Sequence, residues 1–412
     1  MWLVGDTRYR RRSVLGIAAA LAAGRATLGG TVASLADRIV TAALAAESAQ
    51  AAGSMSLEYP APLRTVNASN SSELAAALAA AQPGDHIVLA DGVYSGNFAL
   101  STNGTAADPI VVRAANTLGA SIDSLSLDAG YGWIYGCNVD YLQVNGSDCK
   151  TRRCRFSGAT SYAIYIYYTG HRLAVEYCEV TGSYTKYGIE CRFSGATGPT
   201  GLRVRKSYFH DLPDTTRAIR IGYSGQTGET NVDALIEDSL FENLEDTDLG
   251  VSIVNKASGI VYQYCHFKNI RLHELRHGDD NKIIACTYDS SKTAGLTVRS
   301  KRQLLHGVKL IGTARIRLMA GNTLDDSISG QYSQREPCVN GVVTRCNGPV
   351  DVGFKWGSES TPYPADGNSI EAHAGPLNLL PDQMNTTQSS TTNYPAVTPA
   401  MWTAADVGPL AS

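Results

Sequence analysis

A self-similar series of short segments between Cys154 and Ser290 most constrains what this chain can fold into. In each segment a Cys or Ser stands two residues before an apolar residue, and a turn-forming residue follows two positions after it. The apolar residues lie 24, 29, 32, 26 and 21 residues apart. They are Phe156, Val180, Phe209, Phe241, Phe267 and Tyr288. Constant local spacing with a drifting repeat length is typical of a solenoid, in which insertions leave at the turns while the strands stay stacked.

The side-chain periodicity within these segments favours strands over helices. Cys154, Cys178, Cys265 and Cys286 each share a strand face with the apolar residue two positions later, so all four thiols are predicted to point into the core. Helical patterning is nearly absent between Asn97 and Gly348. The sequence therefore predicts an all-β fold, a right-handed parallel β-helix.

An open end of such a solenoid exposes core and strand edges, so a cap is expected. An Ala- and Leu-rich segment from Ser71 to Ala81 predicts a short N-terminal capping helix, begun by serines and stopped at Pro83-Gly84. The β-helix is predicted to cover residues 56–375. Residues 376–412 are rich in Pro, Thr, Asn and Ser and are predicted to form a C-terminal tail or cap.

The N-terminus has the pattern of an export signal. Arg10-Arg11-Arg12 is followed by Ser13-Val14-Leu15 and a mildly apolar, Ala-rich run, which resembles a twin-arginine signal. A generic secretory signal or a membrane anchor is the alternative. Residues 1–55 are therefore assigned to a signal and leader, and the mature protein is expected to be secreted or periplasmic.

Composition excludes several function classes. The net charge of −3 and pI near 6.2 give no basic surface for nucleic acid. No apolar run of about 20 residues follows the N-terminus, so no membrane contact is expected after signal cleavage. The nine cysteines include no Cys-x-x-Cys pair, which leaves a structural zinc site poorly supported. The expected state is a monomer.

Two cations mark a candidate active site. Lys256 stands 11 residues before Phe267, and Arg276 stands 12 residues before Tyr288, so they occupy nearly equivalent points of successive coils. Neighbouring strands are about 4.8 Å apart. A cation at that distance lowers the pKa of a lysine, and a neutral amine can act as a general base. The alternative is two solvated surface cations, paired with Asp279 or Asp280.

These residues carry a resemblance to a known family. The segments Asn255-Lys256-Ala257-Ser258 and Leu275-Arg276-His277-Gly278 resemble the family 6 polysaccharide lyases, which include alginate lyases and chondroitinase B. Further similar segments are Pro83-Gly84-Asp85, Asp91-Gly92-Val93-Tyr94, Arg220-Ile221-Gly222 and Ser239-Leu240-Phe241-Glu242. The resemblance implies a parallel β-helix that cleaves a uronate-containing polysaccharide by β-elimination, with alginate favoured as substrate.

The resemblance also implies roles for particular residues. Lys256 would be the base, and Arg276 the acid or the stabiliser of developing charge. His277 would orient the site or donate a proton, or else be a packed turn histidine. Arg220 would bind a substrate carboxylate, or else be a stacked structural arginine. A cluster of tyrosines that includes Tyr162, Tyr165 and Tyr187 has no assigned role.

Calcium is the point at which the sequence departs from the family. Many members carry two glutamates, seven and five residues before the catalytic lysine, that bind a calcium ion. Leu249 and Val251 stand at those positions here and offer no oxygen ligand. Two possibilities follow: a lyase that needs no metal cofactor, in which Arg220 and Arg276 neutralise the carboxylate, or a degenerate site in a glycan-binding β-helix.

A glycoside hydrolase on the same fold is the rival enzyme class. Gly278-Asp279-Asp280 is similar to the paired aspartates of polygalacturonase-like β-helices, in which one carboxyl group protonates and another activates water. No Asn-Thr-Asp, Gly-His-Gly or Arg-Ile-Lys segment accompanies it downstream. The lyase is therefore the preferred reading.

Overall fold

A computed structural model gives the structure of the chain. It describes residues 59–194, 197–213, 216–222, 230–244, 251–291, 295–322, 336–355, 363–391 and 396–410. The chain divides into two units, one of residues 1–59 and 391–396 and one of residues 60–390 and 397–412. The predicted signal, residues 1–55, lies outside the described residues. Everything below concerns the second unit.

One α-helix and 35 strands are described, followed by a short 3-10 helix at Ala404–Asp406. The helix, α1, is Ser71–Ala79. The strands of the first half are β1 Arg64–Ala68, β2 Asp85–Leu89, β3 Gly92–Leu100, β4 Ile110–Ala114, β5 Ala120–Leu127, β6 Gly132–Tyr135, β7 Asn138–Val144, β8 Lys150–Arg152, β9 Arg155–Phe156, β10 Tyr162–Ile166, β11 Ala174–Glu176, β12 Glu179–Val180, β13 Tyr187–Cys191, β14 Arg203–Arg205, β15 Tyr208–His210, β16 Arg217–Ile221, β17 Asn231–Glu237 and β18 Leu240–Leu244. Those of the second half are β19 Ile253–Lys256, β20 Ser258–Gln263, β21 His266–Ile270, β22 Leu272–His277, β23 Lys282–Ile284, β24 Thr287–Ser290, β25 Gly295–Val298, β26 Leu304–His306, β27 Lys309–Gly312, β28 Arg315–Met319, β29 Val342–Thr344, β30 Val350–Phe354, β31 Ala365–Asp366, β32 Ser369–Glu371, β33 Leu377–Leu379, β34 Gln383–Met384 and β35 Thr387–Ser389.

All but two of the described strands form three stacked ladders in which each strand pairs in parallel with its equivalent one coil later; β31 and β34 pair with each other in a separate two-stranded sheet. The first ladder is a sheet of 14 described strands that runs from β1 to β35. The second sheet, of 19 described strands, divides after β7 into one ladder that contains β9, β12, β15 and β18 and another that contains β10, β13, β16 and β19. One coil is therefore three strands separated by turns, as in β20, β21 and β22. The predicted right-handed parallel β-helix is confirmed.

The repeat read from the sequence corresponds to a single row of side chains inside the solenoid. Phe156 pairs in register with Val180, Val180 with Phe209, and the row continues through Phe241 and Phe267 to Tyr288. The ring centroids of Phe209 and Phe241 lie 4.8 Å apart, which matches the strand spacing. All these residues are buried, so the constant local spacing reflects stacking in the core.

Small polar groups complete the coil around this row. All nine cysteines are buried and free, including the four predicted to point inward.

At the turn after the aromatic row, the side chain of Asn269 donates to Asn243, and Asn243 donates to Asp211, at 3.3 and 3.1 Å. These three residues have positive φ angles near 50°, a conformation that Asn and Asp tolerate better than most residues. The turn residues of the sequence repeat therefore form a ladder of their own.

The capping helix is present, but its N-cap differs from the prediction. Asn70, rather than a serine, caps α1: its side-chain oxygen accepts a hydrogen bond from the backbone N–H of Glu73 at 3.0 Å. The Glu73 carboxylate in turn accepts from the backbone N–H of Ser69 at 2.7 Å. Leu74, Ala77 and Leu78 are buried in the hydrophobic core. The helix thus covers the first coil with its apolar face.

The stacking continues beyond residue 375, the predicted end of the β-helix. β33 pairs with β30, and β35 pairs with β32, so regular coils extend to Ser389. The final segment then contacts earlier coils. The backbone carbonyl of Trp402 accepts from His266 at 2.9 Å, and Arg153 donates to the carbonyl of Pro409 at 2.9 Å. Within the described part of the chain, no helix is both long and apolar enough to span a membrane.

Candidate active site

The candidate site lies on the outer face of the ladder that contains β10. Four consecutive strands of that ladder build it: β13, β16, β19 and β22. Their inward row contains Ile189, Ile219, Ile253 and His273, paired in register. The next residue of each strand points outward, which gives the row Glu190, Arg220, Val254 and Glu274. Polar residues that the sequence scatters over about 85 positions are therefore brought to one surface.

A cavity of about 320 Å³ opens on this face. Six basic side chains and one carboxylate are among the residues that line it. The lining residues are Tyr162, Lys186, Tyr187, Glu190, Arg192, Arg217, Arg220, Val251, Val254, Lys256 and Arg276. The excess of positive charge fits an anionic ligand, although the chain as a whole is slightly acidic.

Lys256 and Arg276 both line this cavity. A shift in register between β19 and β22 explains how two residues that are not register partners both reach it. Asn255 pairs with Leu275, but Lys256 pairs with His277, so Arg276 is the extra residue of a register shift between β19 and β22. Lys256 and His277 each precede their core aromatic residue by 11 positions. An inserted residue bends a strand and redirects its side chains, which places Arg276 at the cavity beside Lys256.

The environment of Lys256 favours its neutral form. The side chain is buried, with 5% of its surface exposed. Burial and the nearby Arg276 and Arg220 guanidinium groups lower the pKa of Lys256 to about 7, against the opposing attraction of Glu274. Near neutral pH, a substantial fraction of this amine can therefore accept a proton.

Arg220 lies on this outward row, where its register partner one coil later is Val254, two residues before Lys256. Three groups hold its side chain. Its guanidinium donates to the hydroxyl of Tyr187 at 2.6 Å and to the carbonyl of Gly222 at 3.1 Å. It also lies 3.5 Å from the Glu190 carboxylate. Burial raises the pKa of Glu190, against the attraction of Arg220. These contacts fix the guanidinium at the cavity wall.

A polar network inside the solenoid supports the strand that carries Lys256. The amide of Asn255 donates to Nε2 of His273 at 2.9 Å, and the Tyr262 hydroxyl donates to the Asn255 oxygen at 3.2 Å. Nδ1 of His273 lies 2.9 Å from the Tyr288 hydroxyl. Burial lowers the pKa of His273 to about 3, so the ring is neutral. Because Asn255 is fixed inward, its neighbour Lys256 points outward into the cavity.

His277 has a different position from the other three predicted site residues. It is buried, pairs with Lys256 in register and is not among the residues that line the cavity. The glycine that follows is required by the packing, since Gly278 has a φ of 90° and a Cβ there would lie 2.1 Å from the carbonyl oxygen of Ala257. The structure thus brings Lys256, Arg276 and Arg220 together at the cavity, whereas His277 is not among the residues that line it.

The paired aspartates of the hydrolase alternative are engaged elsewhere. Arg302 donates to Asp280 at 2.8 Å from both Nε and a terminal nitrogen, and to Asp279 at 3.0 Å. Neither aspartate is among the residues that line the cavity. Their partner is therefore Arg302 rather than a substrate or the site cations.

The described residues do not form the calcium site of the family. Val251 lines the cavity and offers only an alkyl side chain, while Leu249 lies outside the described residues. Among the described residues that line the cavity, Glu190 is the one carboxylate, and Arg220 lies against it. Within the described ranges, the chain has no group of three or more His, Cys, Asp or Glu that could hold a metal ion. Calcium needs several oxygen ligands, so this donor set does not fit it.

Several cavity residues were not predicted from the sequence as site residues. Arg192, Arg217, Lys186 and Glu190 carry no motif, and Tyr187 belonged to a tyrosine cluster without an assigned role. The available signal was alternation in the strands one and two coils before Lys256, where Glu190 and Arg220 occupy outward positions. To use that signal, one must know which residues of successive coils pair in register. This pairing cannot be read from the sequence, because the loops differ in length from coil to coil.

Comparison with known proteins gives a short sequence match and extensive structural matches. The family model for chondroitinase B matches residues 68–126, the N-terminal coils. No curated protein sequence matches the chain.

Three solved structures illustrate the shared fold. A family 6 polysaccharide lyase from Pseudopedobacter saltans matches with a TM-score of 0.65 and 16% identity, over 84% of this chain and 99% of that one. A mannuronic acid-specific family 6 lyase from human gut microbiota matches with a TM-score of 0.65 and 15% identity, over 79% and 87%. The family 6 alginate lyase AlyGC matches with a TM-score of 0.64 and 15% identity, over 81% and 53%. The resemblance to family 6 polysaccharide lyases is confirmed, and the fold is theirs.

Proposed function

We propose, from this shared fold and the cationic cavity, that the protein is a polysaccharide lyase that cleaves a uronate-containing polymer by β-elimination. The observation that carries the proposal is a buried lysine with a pKa of about 7, held beside two arginines in a cavity open to solvent. Alginate is the favoured polymer, because several of the structurally similar enzymes are alginate lyases.

The reaction imposes three demands on a site. The proton on C5 of the uronate is weakly acidic while the adjacent carboxylate is charged, so that charge must be neutralised as the enediolate develops. A base must remove the C5 proton, and the departing O4 must be protonated. Lys256 supplies the base, and Arg276 stabilises the negative charge that develops during elimination.

Cations of the chain take the place of a metal ion in this scheme. Arg220 is buried and oriented by Tyr187 and Gly222, so it presents a fixed guanidinium to the substrate carboxylate. Guanidinium groups bind carboxylates through paired, charge-assisted hydrogen bonds. Arg217 and Arg192 add positive charge to the same wall. The cavity thereby supports elimination without a calcium ligand set.

The product of the reaction is the direct test. Elimination creates a double bond conjugated to the carboxylate, which absorbs in the ultraviolet, whereas hydrolysis creates only a new reducing end. We expect the purified protein to generate absorbance from at least one member of a panel of uronate polymers, alginate first. Reducing ends without absorbance would indicate a hydrolase, and binding without either product would indicate a glycan-binding solenoid.

The pH dependence should follow the ionisation of Lys256. Its pKa of about 7 makes the neutral, proton-accepting form predominant above that pH. We expect kcat/KM to rise with pH through about 7 and level off, and to be lower at pH 5 by about 10²-fold. Initial rates across pH 5 to 9 on one polymer provide the measurement. A profile that falls over that interval would contradict Lys256 as the base.

Removal of divalent metal should leave the activity almost unchanged. The expected result is a kcat/KM within about twofold of the untreated protein after dialysis against a chelator, because cations of the chain replace the metal charge. Rates are measured before and after chelation, and again with calcium added. Strong loss that calcium restores would show that oxygen ligands outside the described residues form a metal site.

We propose that the protein acts outside the cytoplasm, as a monomer. Arg10-Arg11-Arg12 and the apolar run that follows support export by a twin-arginine-like route to the periplasm or the medium. An anionic polysaccharide substrate is then its partner. Neither nucleic acid nor, after signal cleavage, a membrane is expected as one.

A further inference from the structure

Tyr187, at the start of β13, holds an unusual position in the cavity. Its side chain lines the cavity and is 8% exposed. The phenol oxygen accepts hydrogen bonds from Arg220 at 2.6 Å and from Arg217 at 3.3 Å. The Arg220 guanidinium also lies over the ring, 5.0 Å from its centroid. Two cations therefore converge on one phenol oxygen.

This arrangement leaves a proton that can be donated. A phenol has one hydrogen and two acceptor positions, and both of these hydrogen bonds use the oxygen as acceptor. The geometry thus suits a proton donor better than a proton acceptor.

None of the four predicted site residues is a suitable proton donor at the leaving group. Arg276 stays protonated throughout, since guanidinium groups have pKa values above about 12. His277 does not line the cavity. Lys256 is needed in its neutral form to take the C5 proton. A phenol is a better acid than a guanidinium.

We propose that Tyr187 donates the proton to the departing glycosidic oxygen, an assignment that rests on the proposed lyase function. Neutral Lys256 takes the C5 proton and becomes an ammonium, and the released electron pair forms the C4–C5 double bond. The C4–O4 bond breaks, and O4 takes the hydrogen of Tyr187. Arg217 and Arg220 hold the phenolate until a proton from the Lys256 ammonium returns to it through cavity water. No proton is consumed overall, and Arg276 remains a charge stabiliser.

Replacement of the hydroxyl alone tests this assignment. Tyr187→Phe keeps the ring beneath Arg220 and removes the donor. We expect kcat on a uronate polymer to fall by about 10²-fold, with a smaller change in KM. Tyr208→Phe is the matched control, because its hydroxyl bonds to Glu242 at 2.7 Å and it is not among the cavity residues. Its activity should equal that of the unmodified protein, and a thermal melt of each variant checks folding.

A substrate with a better leaving group distinguishes two roles of the Tyr187 hydroxyl: donation of a proton to the leaving oxygen, and orientation of Arg220 through a hydrogen bond. In a uronate that carries 4-nitrophenol at O4, the departing oxygen needs no proton. Tyr187→Phe should then release nitrophenolate at nearly the normal rate, whereas Lys256→Met should remain inactive on both substrates. Equal slowing of Tyr187→Phe on both substrates, a rise in KM alone, or unchanged activity on the polymer would overturn the assignment.

Failure of the wider proposal has a different signature. If the unmodified protein forms no unsaturated product from any polymer and no nitrophenolate from the analogue, the lyase function itself is wrong, and the role of Tyr187 with it. If unsaturated product forms and requires Lys256 but not the Tyr187 hydroxyl, the lyase stands and the inference alone fails.

Discussion

Lys256→Met should lower kcat/KM by about 10⁴-fold, the upper end of what a positioned general base contributes. The substitution removes the amine and keeps a flexible side chain of similar length in the cavity wall. Because the other cavity residues remain, substrate should still bind, so the loss should appear mainly in kcat. Ultraviolet absorbance with a uronate polymer, at saturating and low concentrations, separates the two parameters.

Stability should not decrease in this variant. The pKa of Lys256 in the folded chain lies below that of an ordinary lysine, so the folded state is disfavoured at every pH below the usual lysine pKa. Removal of the amine removes that penalty, and Tm at pH 7 is expected to stay constant or rise.

Lys256→Arg, which keeps a cation but no base, should be equally inactive. The matched control is Lys268→Met, because Lys268 is partly exposed and paired with Glu242 outside the cavity. Near-normal elimination by Lys256→Met would exclude Lys256 as the base.

Arg276→Gln should have the second largest effect, a loss of kcat of about 10³-fold. Its guanidinium lines the cavity and repels the Lys256 ammonium, so the substitution acts in two ways. The first is the loss of a positive charge that stabilises the enediolate and the departing oxygen. The second is a rise in the Lys256 pKa, because one of the causes that lower it is gone.

The second effect gives the prediction a distinctive sign. The pH at which kcat/KM reaches half its plateau should move to higher pH in Arg276→Gln, so the relative loss should grow as the pH falls through about 7 and stay at its maximum below both midpoints. Arg276→Lys retains a cation and should keep the midpoint near that of the unmodified protein while it recovers part of the rate. Arg172→Gln is the control, because Arg172 pairs with Asp148 and is not among the residues that line the cavity. An unchanged midpoint in Arg276→Gln would show that the two cations are not electrostatically coupled.

The row of core side chains shows how far local spacing can predict a solenoid. Phe156, Val180, Phe209, Phe241, Phe267 and Tyr288 were identified by a turn residue two positions later and a small residue two positions earlier, and they stack in that order. The prediction succeeds because each coil must place an apolar group over the one below, whatever the length of its loops. The capping helix was likewise predictable, although Asn70 rather than a serine caps it.

The relation between Lys256 and Arg276 was predictable only approximately. Their distances from the core row differ by one residue, and that difference corresponds to the register shift between β19 and β22, in which Arg276 is the extra residue. A shift of one residue exchanges inward and outward positions, so spacing alone could not decide whether Arg276 faces the cavity or the core. His277, the register partner of Lys256, is buried and is not among the residues that line the cavity.

The sequence by itself determined the stacked coils, the cap and the two cations placed one coil apart, because these depend on short-range spacing along the chain. Only the tertiary structure decided which residues share the cavity. Tyr187 and Arg220 are 33 positions apart and meet because one full coil, which contains β14 and β15, returns the chain so that β16 pairs with β13. The lowered pKa of Lys256 has the same origin, since burial and distance to other cations are properties of the folded coil stack.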